Sequence, residues 1–98
     1  MRLVLPTSVT ELGDQAFSRC ASLGELIIPE DSRLETIGTM CFMKTALREV
    51  ELPPGLKIVK HKAFFACENL KIVYSEGARI PGASDCIGPS VLVGYPKR

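Results

Sequence analysis

The sequence predicts an α/β repeat fold, a solenoid of stacked coils that each contribute one short parallel strand. Three observations predict it. Residues 3–25 return at residues 50–72 with a constant offset of 47. The apolar columns coincide: Leu3 with Val50, Leu5 with Leu52, Val9 with Leu56, Leu12 with Val59, Phe17 with Phe64, Cys20 with Cys67 and Leu23 with Leu70. A middle copy fills the gap, so strand starts fall at Leu3, Leu26, Val50 and Val73, spaced by 23, 24 and 23 residues. Each of the first three copies also opens on alternating apolar positions closed by proline.

A period of about 20–29 residues with regularly placed aliphatics belongs to coils of the leucine-rich type, whereas two-helix repeats need well over 30. The chain therefore reads as about three full coils, residues 3–25, 26–49 and 50–72, with an irregular terminal coil over 73–98. Together they form one repeat segment, expected to be part of a longer array.

The strands are Leu3-Val4-Leu5, Leu26-Ile27-Ile28 and Val50-Glu51-Leu52, where a period of two and branched side chains mark extended backbone. Pro6, Pro29 and Pro53 end them by removing the donor N–H. Polar turns follow at Thr7-Ser8, at Glu30-Asp31-Ser32-Arg33 and at Pro54-Gly55. The middle turn is two residues longer, and the copy gives one back near Thr45. A second short extended stretch carries two anchors three apart: Val9 and Leu12, Leu34 and Ile37, Leu56 and Val59. Gly13 and Gly38 share the next column, where a backbone turn with positive φ is expected; Lys60 takes that place in the third copy. The segments 14–20, 39–44 and 62–67 lack a period of two and read as one or two helical turns, with Asp14 and Thr39 as N-caps. Leu23, Leu47 and Leu70 close the coils.

The fourth copy departs from the pattern after Val73. Ser75 and Glu76 replace the inward aliphatic and the proline. Ile80 serves the turn column, but no Ala-Phe segment follows, and residues 81–89 are rich in turn formers. Val91-Leu92-Val93 offers a final strand before the tail Tyr95-Pro96-Lys97-Arg98. Degenerate terminal copies are expected where a stack ends.

Composition bounds the function. Ninety-eight residues make one domain, and 46% apolar with 23% charged residues is a folding composition. Twelve basic and eleven acidic residues interleave to a net charge of +1. That balance supports neither a nucleic-acid footprint nor a polybasic membrane patch. No apolar run approaches the ~20 residues of a membrane span, and membrane insertion is not expected. The N-terminus shows no signal peptide.

Leu-x-x-Leu-Ile-Ile-Pro at 23–29, Leu-x-x-Val-Glu-Leu-Pro at 47–53, Val-Thr-Glu-Leu-Gly at 9–13 and Ala-Phe-x-x-Cys at 16–20 and 63–67 recur in register. This pattern, over roughly residues 3–76, resembles the BspA-type leucine-rich repeats. The resemblance implies a curved stack of strands and short helices, no catalytic motif, and protein partners met at a cell surface or in secretion. It places the chain at the surface or outside the cell if a leader was lost, and otherwise in the cytoplasm. The middle copy departs from the pattern, with no cysteine in the Cys20 column, and so does the C-terminal quarter.

Candidate chemistry is sparse. Cys20 and Cys67 share a column two coils apart, about 10 Å, beyond disulfide reach. Cys41 lies in the Ala16 column. These three read as small buried hydrophobes, while Cys86, in irregular sequence, is open to exposure and reaction. One histidine and no Cys-x-x-Cys leave no zinc set, and no metal or cofactor is expected. His61, at a helix start, reads as solvated. Glu49 and Glu51 project from one strand face about 7 Å apart, with no convergent partner for acid–base work, and read as surface charge. No catalytic residue is assigned, and the chain is not expected to be an enzyme.

Strand alternation turns Leu3, Leu5, Leu26, Ile28, Val50 and Leu52 inward. Their neighbours form the outward rows, from which the candidate partner-binding residues come: Val4, Glu25, Ile27, Glu49, Glu51, Ile72 and Tyr74. Apolar side chains among acids suit a protein or peptide ligand; the same rows also serve as side-chain ladders that stabilise a sheet. The expected function is a non-catalytic protein-interaction module. The alternative is a structural spacer or self-association segment, stacking end to end through open coil ends.

Overall fold

The computed structural model describes residues 1–75, 86 and 87, and the backbone of 92–94. The strands are β1 (Arg2–Val4), β2 (Glu11–Leu12), β3 (Glu25–Ile27), β4 (Thr36–Ile37), β5 (Glu49–Glu51), β6 (Ile58–Val59), β7 (Ile72–Tyr74) and β8 (Leu92–Gly94). All pairing is parallel. The long-strand face holds β1 with β3, and β5 with β7 and β8. The registers repeat the sequence columns: Leu3 opposite Leu26, and Val50 opposite Val73. The second extended stretch forms its own unbroken ladder, β2-β4-β6. The expected final strand is present as β8, one residue later than the 91–93 run.

The interior follows from period and column. Leu5, Leu23, Leu26, Leu34, Ile37, Leu47, Val50, Leu52, Leu56, Val59, Leu70 and Val73 are buried in one cluster. Phe17, Phe42 and Phe64 stack through it with centroids 5.3 and 5.2 Å apart and planes within 5° and 8° of parallel. The parallel strand spacing imposes this ring spacing, because each ring occupies the same place in successive coils.

The third side departs from expectation. Residues 14–19, 39–44 and 61–66 form successive turns, and no helix occurs within residues 1–75. In the first coil, three consecutive i→i+3 bonds run from Ala16 to Gly13, Ser18 to Gln15 and Cys20 to Phe17. Meanwhile Gln15, Phe17 and Arg19 donate their N–H groups to the carbonyls of Thr39, Cys41 and Met43, at 2.7–2.9 Å. Met40, Phe42 and Lys44 donate likewise to His61, Ala63 and Phe65. A six-residue helix would leave most of its backbone groups without partners. The turn chain hands alternate N–H groups to the next coil instead, which satisfies them.

Left-handed backbone accompanies this arrangement, at residues other than the expected glycines. Gln15, Met40 and Lys62 have φ of 58°, 56° and 56°, and Arg19, Lys44 and Ala66 have φ of 63°, 60° and 58°. Positive φ at the third residue of a turn is the type II geometry. Gly38 is needed for proximity: a Cβ there would lie 2.7 Å from the backbone and Oδ1 of Asp14. That carboxylate accepts the Thr39 N–H at 2.8 Å, so Asp14 ties its own coil to the next and is not a helix cap.

The described part of the fourth copy continues a column of the first three. Phe64 donates its N–H to the Cys86 carbonyl at 2.8 Å, as Phe42 does to Ala63. Cys86-Ile87 thus continues the column of Ala16-Phe17, Cys41-Phe42 and Ala63-Phe64. The exposure expected for Cys86 is corrected: both residues are buried, with the thiol directed to the Val59 carbonyl at 3.8 Å. The readings of Glu76 and Ile80, of the run 81–89 apart from Cys86 and Ile87, and of the tail Tyr95–Arg98 lie outside the described residues.

Candidate partner-binding face

Alternation along β1, β3, β5 and β7 places the candidate residues in two rows. One runs Arg2, Glu25, Glu49, Ile72 and the other Val4, Ile27, Glu51, Tyr74, in the paired registers within each sheet. Val4 is 53% exposed, unusual for a large aliphatic here. Glu25 and Glu49 are exposed, and Ile27, Glu51, Ile72 and Tyr74 are half-buried. The Arg2–Glu25 ion pair, at 3.6 Å between side chains more than 60% exposed, contributes little.

The two rows are not continuous. β3 and β5 lie side by side but belong to different ladders, so the strand face has a seam between them. The corner leading into β5 explains it. Two residues separate Cys20 from Leu23 and Cys67 from Leu70, and each corner closes with a 3.0 Å bond between the residues at its two ends. In the middle coil Thr45 takes the cysteine column, and only one residue, Ala46, separates it from Leu47. The shortened corner bonds across to the first coil, Ala46 N–H to Leu23 carbonyl at 2.9 Å, and β5 emerges out of step with β3.

Two hollows flank the shortened corner. On the strand side a groove of about 670 Å³ opens along the seam, bordered by Glu25, Glu49 and Glu51, by Arg48 and Lys71, and by Tyr74. On the turn side a notch of about 400 Å³ lies between Ala21, Ala46 and the Glu68-Asn69 corner. The seam brings four of the seven candidate residues to one groove and leaves Val4, Ile27 and Ile72 outside its lining. Arg48 and Lys71 were missed by the sequence reading because they stand one place before the strands, outside the alternation. The one-residue deletion near Thr45 was the available signal.

All four cysteines are free. The Cys67 thiol lies 3.1 Å from the Phe42 carbonyl of the preceding coil, and that carbonyl also accepts the Thr45 hydroxyl of its own coil at 3.0 Å, so one acceptor joins the two residues of the cysteine column. Burial pushes the Cys41 thiol up to about 11. His61 is exposed. Among the described residues, no three His, Cys, Asp or Glu side chains gather to hold a metal ion, and no helix is long and apolar enough to cross a membrane.

Recurrent parallel strands and cross-coil ladders in register define a repeat fold built from leucine-rich coils. The family model described as BspA type Leucine rich repeat region (6 copies) matches residues 1–80, and the chain belongs to that family. No curated protein and no solved structure matches it significantly. Repeats of this family serve in protein–protein interaction.

Proposed function

We propose that the chain is a non-catalytic interaction module whose strand face receives a protein or peptide, adhesion-like in character. The contact residues are Val4, Glu25, Ile27, Glu49, Glu51, Ile72 and Tyr74. The observation that carries this reading is the groove along the seam, where charged side chains and an aromatic ring border a hollow in an otherwise laddered surface. Mixed polar and aromatic lining suits a peptide partner. Peptides selected from a displayed library on the folded chain should perturb the amides of β3, β5 and β7 in nuclear magnetic resonance spectra. Replacing Glu49, Glu51 and Tyr74 together should remove their binding while the chain stays folded. Unchanged binding by the triple variant sinks the reading.

One observation favours self-association as a second reading. Phe64 is buried beneath Cys86 and Ile87, whereas Phe17, Cys20, Leu3 and Val9 on the first coil are only partly buried. A chain that stacks through this end should show concentration-dependent size in light scattering, while a constant monomer mass rejects stacking.

A further inference from the structure

The seam groove is ordered in charge along the strand direction, and that order specifies a partner chemistry; the inference rests on the strand face being the binding surface. Arg48 and Lys71 stand immediately before β5 and β7, in one column. Glu49 and Glu51 begin and end β5, Glu25 begins β3, and Tyr74 pairs beside Glu51. Arg48 and Lys71 therefore border the groove first, Glu25 and Glu49 one place further along the strands and Glu51 three, so the carboxylates centre about two residues beyond the cations. From Arg48 to the midpoint of Glu49 and Glu51 is about two residues, or ~7 Å of strand. In an extended peptide, side chains on one face recur every two residues, also ~7 Å apart.

We infer that the seam binds an extended peptide segment with an acidic and a basic residue two positions apart, Asp/Glu-x-Lys/Arg, laid along the strands. The acid meets Arg48 and Lys71. The base meets Glu49 and Glu51, with the Tyr74 ring beside it for cation–π contact. A wholly basic segment is repelled at Arg48 and Lys71, and a wholly acidic one at Glu49 and Glu51, Glu25 being paired with Arg2. Recognition thus comes from opposite charges at fixed spacing, and unfavourable pairings exclude the alternatives.

Three labelled peptides of equal length test this against the full 98-residue chain: one with Glu-x-Lys spacing, one with Lys-x-Lys and one with Glu-x-Glu. Fluorescence polarisation should show the mixed peptide binding about tenfold tighter than either like-charge peptide, since a few exposed ion pairs add to about that ratio. About 0.5 M salt should erase the difference. Amide perturbations should centre on β5 and β7, with the start of β3 beside them, and Glu49→Lys with Glu51→Lys should remove the preference. If that variant loses its fold, Arg48→Glu with Lys71→Glu, at two exposed positions, must remove it instead. Equal affinity for all three peptides with perturbations still on the strand face overturns this inference and leaves the strand-face reading intact. Failure of these peptides and of a random peptide pool to perturb the strand face overturns both.

Discussion

The turn side and the strand side of the same coils answer one sequence irregularity differently. On the turn side the middle copy arrives two residues late, and the ladders continue regardless. Gln15, Phe17 and Arg19 bond to the second coil, Met40, Phe42 and Lys44 to the third, and the phenylalanine rings stay stacked at 5.2–5.3 Å. The longer polar turn absorbs both extra residues. Ser32 donates its N–H to the Pro29 carbonyl, and its hydroxyl oxygen takes the Leu34 N–H at 3.1 Å, so the chain re-enters the core in register. On the strand side the compensating deletion falls at a corner with nothing to spare, and the ladder parts between β3 and β5. An insertion in a solvated turn costs little, because added residues loop into water. A deletion at a tight corner shifts everything attached to it.

If the turn side is the continuous spine, damage there should cost most. Phe42→Ala removes the central ring, which contacts a ring on each side, and should lower unfolding free energy by about 3–5 kcal/mol in denaturant titration. A cost no greater than that of an exposed residue would deny the spine its role. Gly38→Ala drives a methyl group into Asp14 and should cost about 1–3 kcal/mol. Asp14→Ala combined with it should cost less than the two changes summed, since the first removes part of the clash.

The Cys41 thiol gives the spine a pH signature. Its folded value, about 11, lies above the ordinary value of 9.0 because burial disfavours the thiolate. The folded state therefore holds the proton more tightly. This contribution is fully present below about pH 9 and is lost as pH rises through about 11, on the order of 2 kcal/mol. Stability curves over that range should fall more steeply for the natural chain than for Cys41→Ala.

The smallest effect sharpens the contrast most directly. Inserting one serine after Ala46 gives the middle corner the length of its neighbours. The β3–β5 ladder should then close, adding about 1 kcal/mol and slowing hydrogen exchange in β3 and β5. Unchanged exchange would mean that corner length does not set the seam.

Much of the fold was legible because columns are a one-dimensional property. Leu23, Leu47 and Leu70 could be aligned by counting, and alternation by two put Val50 inside and Glu49 and Glu51 outside. The turn side was misread because 39–44 contains good helix formers, and local propensity says nothing of a carbonyl waiting one coil away. Cys86 was misjudged for a related reason. Its neighbours are turn formers, yet its carbonyl lies where the Phe64 N–H needs an acceptor. The pair Cys41-Phe42 was the template that would have identified Cys86-Ile87.

The candidate face divides along the same line. Alternation was enough to name Glu25, Glu49, Glu51 and Tyr74, because side-chain direction on a strand depends only on position along it. Arg48 and Lys71 joined them only once the strands were set side by side. The sequence by itself determined the repeat, its family and its buried columns, since these follow from period and polarity. The tertiary structure alone decided that the third side is a chain of turns and that the strand face parts at one seam. Both depend on whether a backbone donor in one coil finds an acceptor in the next, and that is a property of stacked coils together.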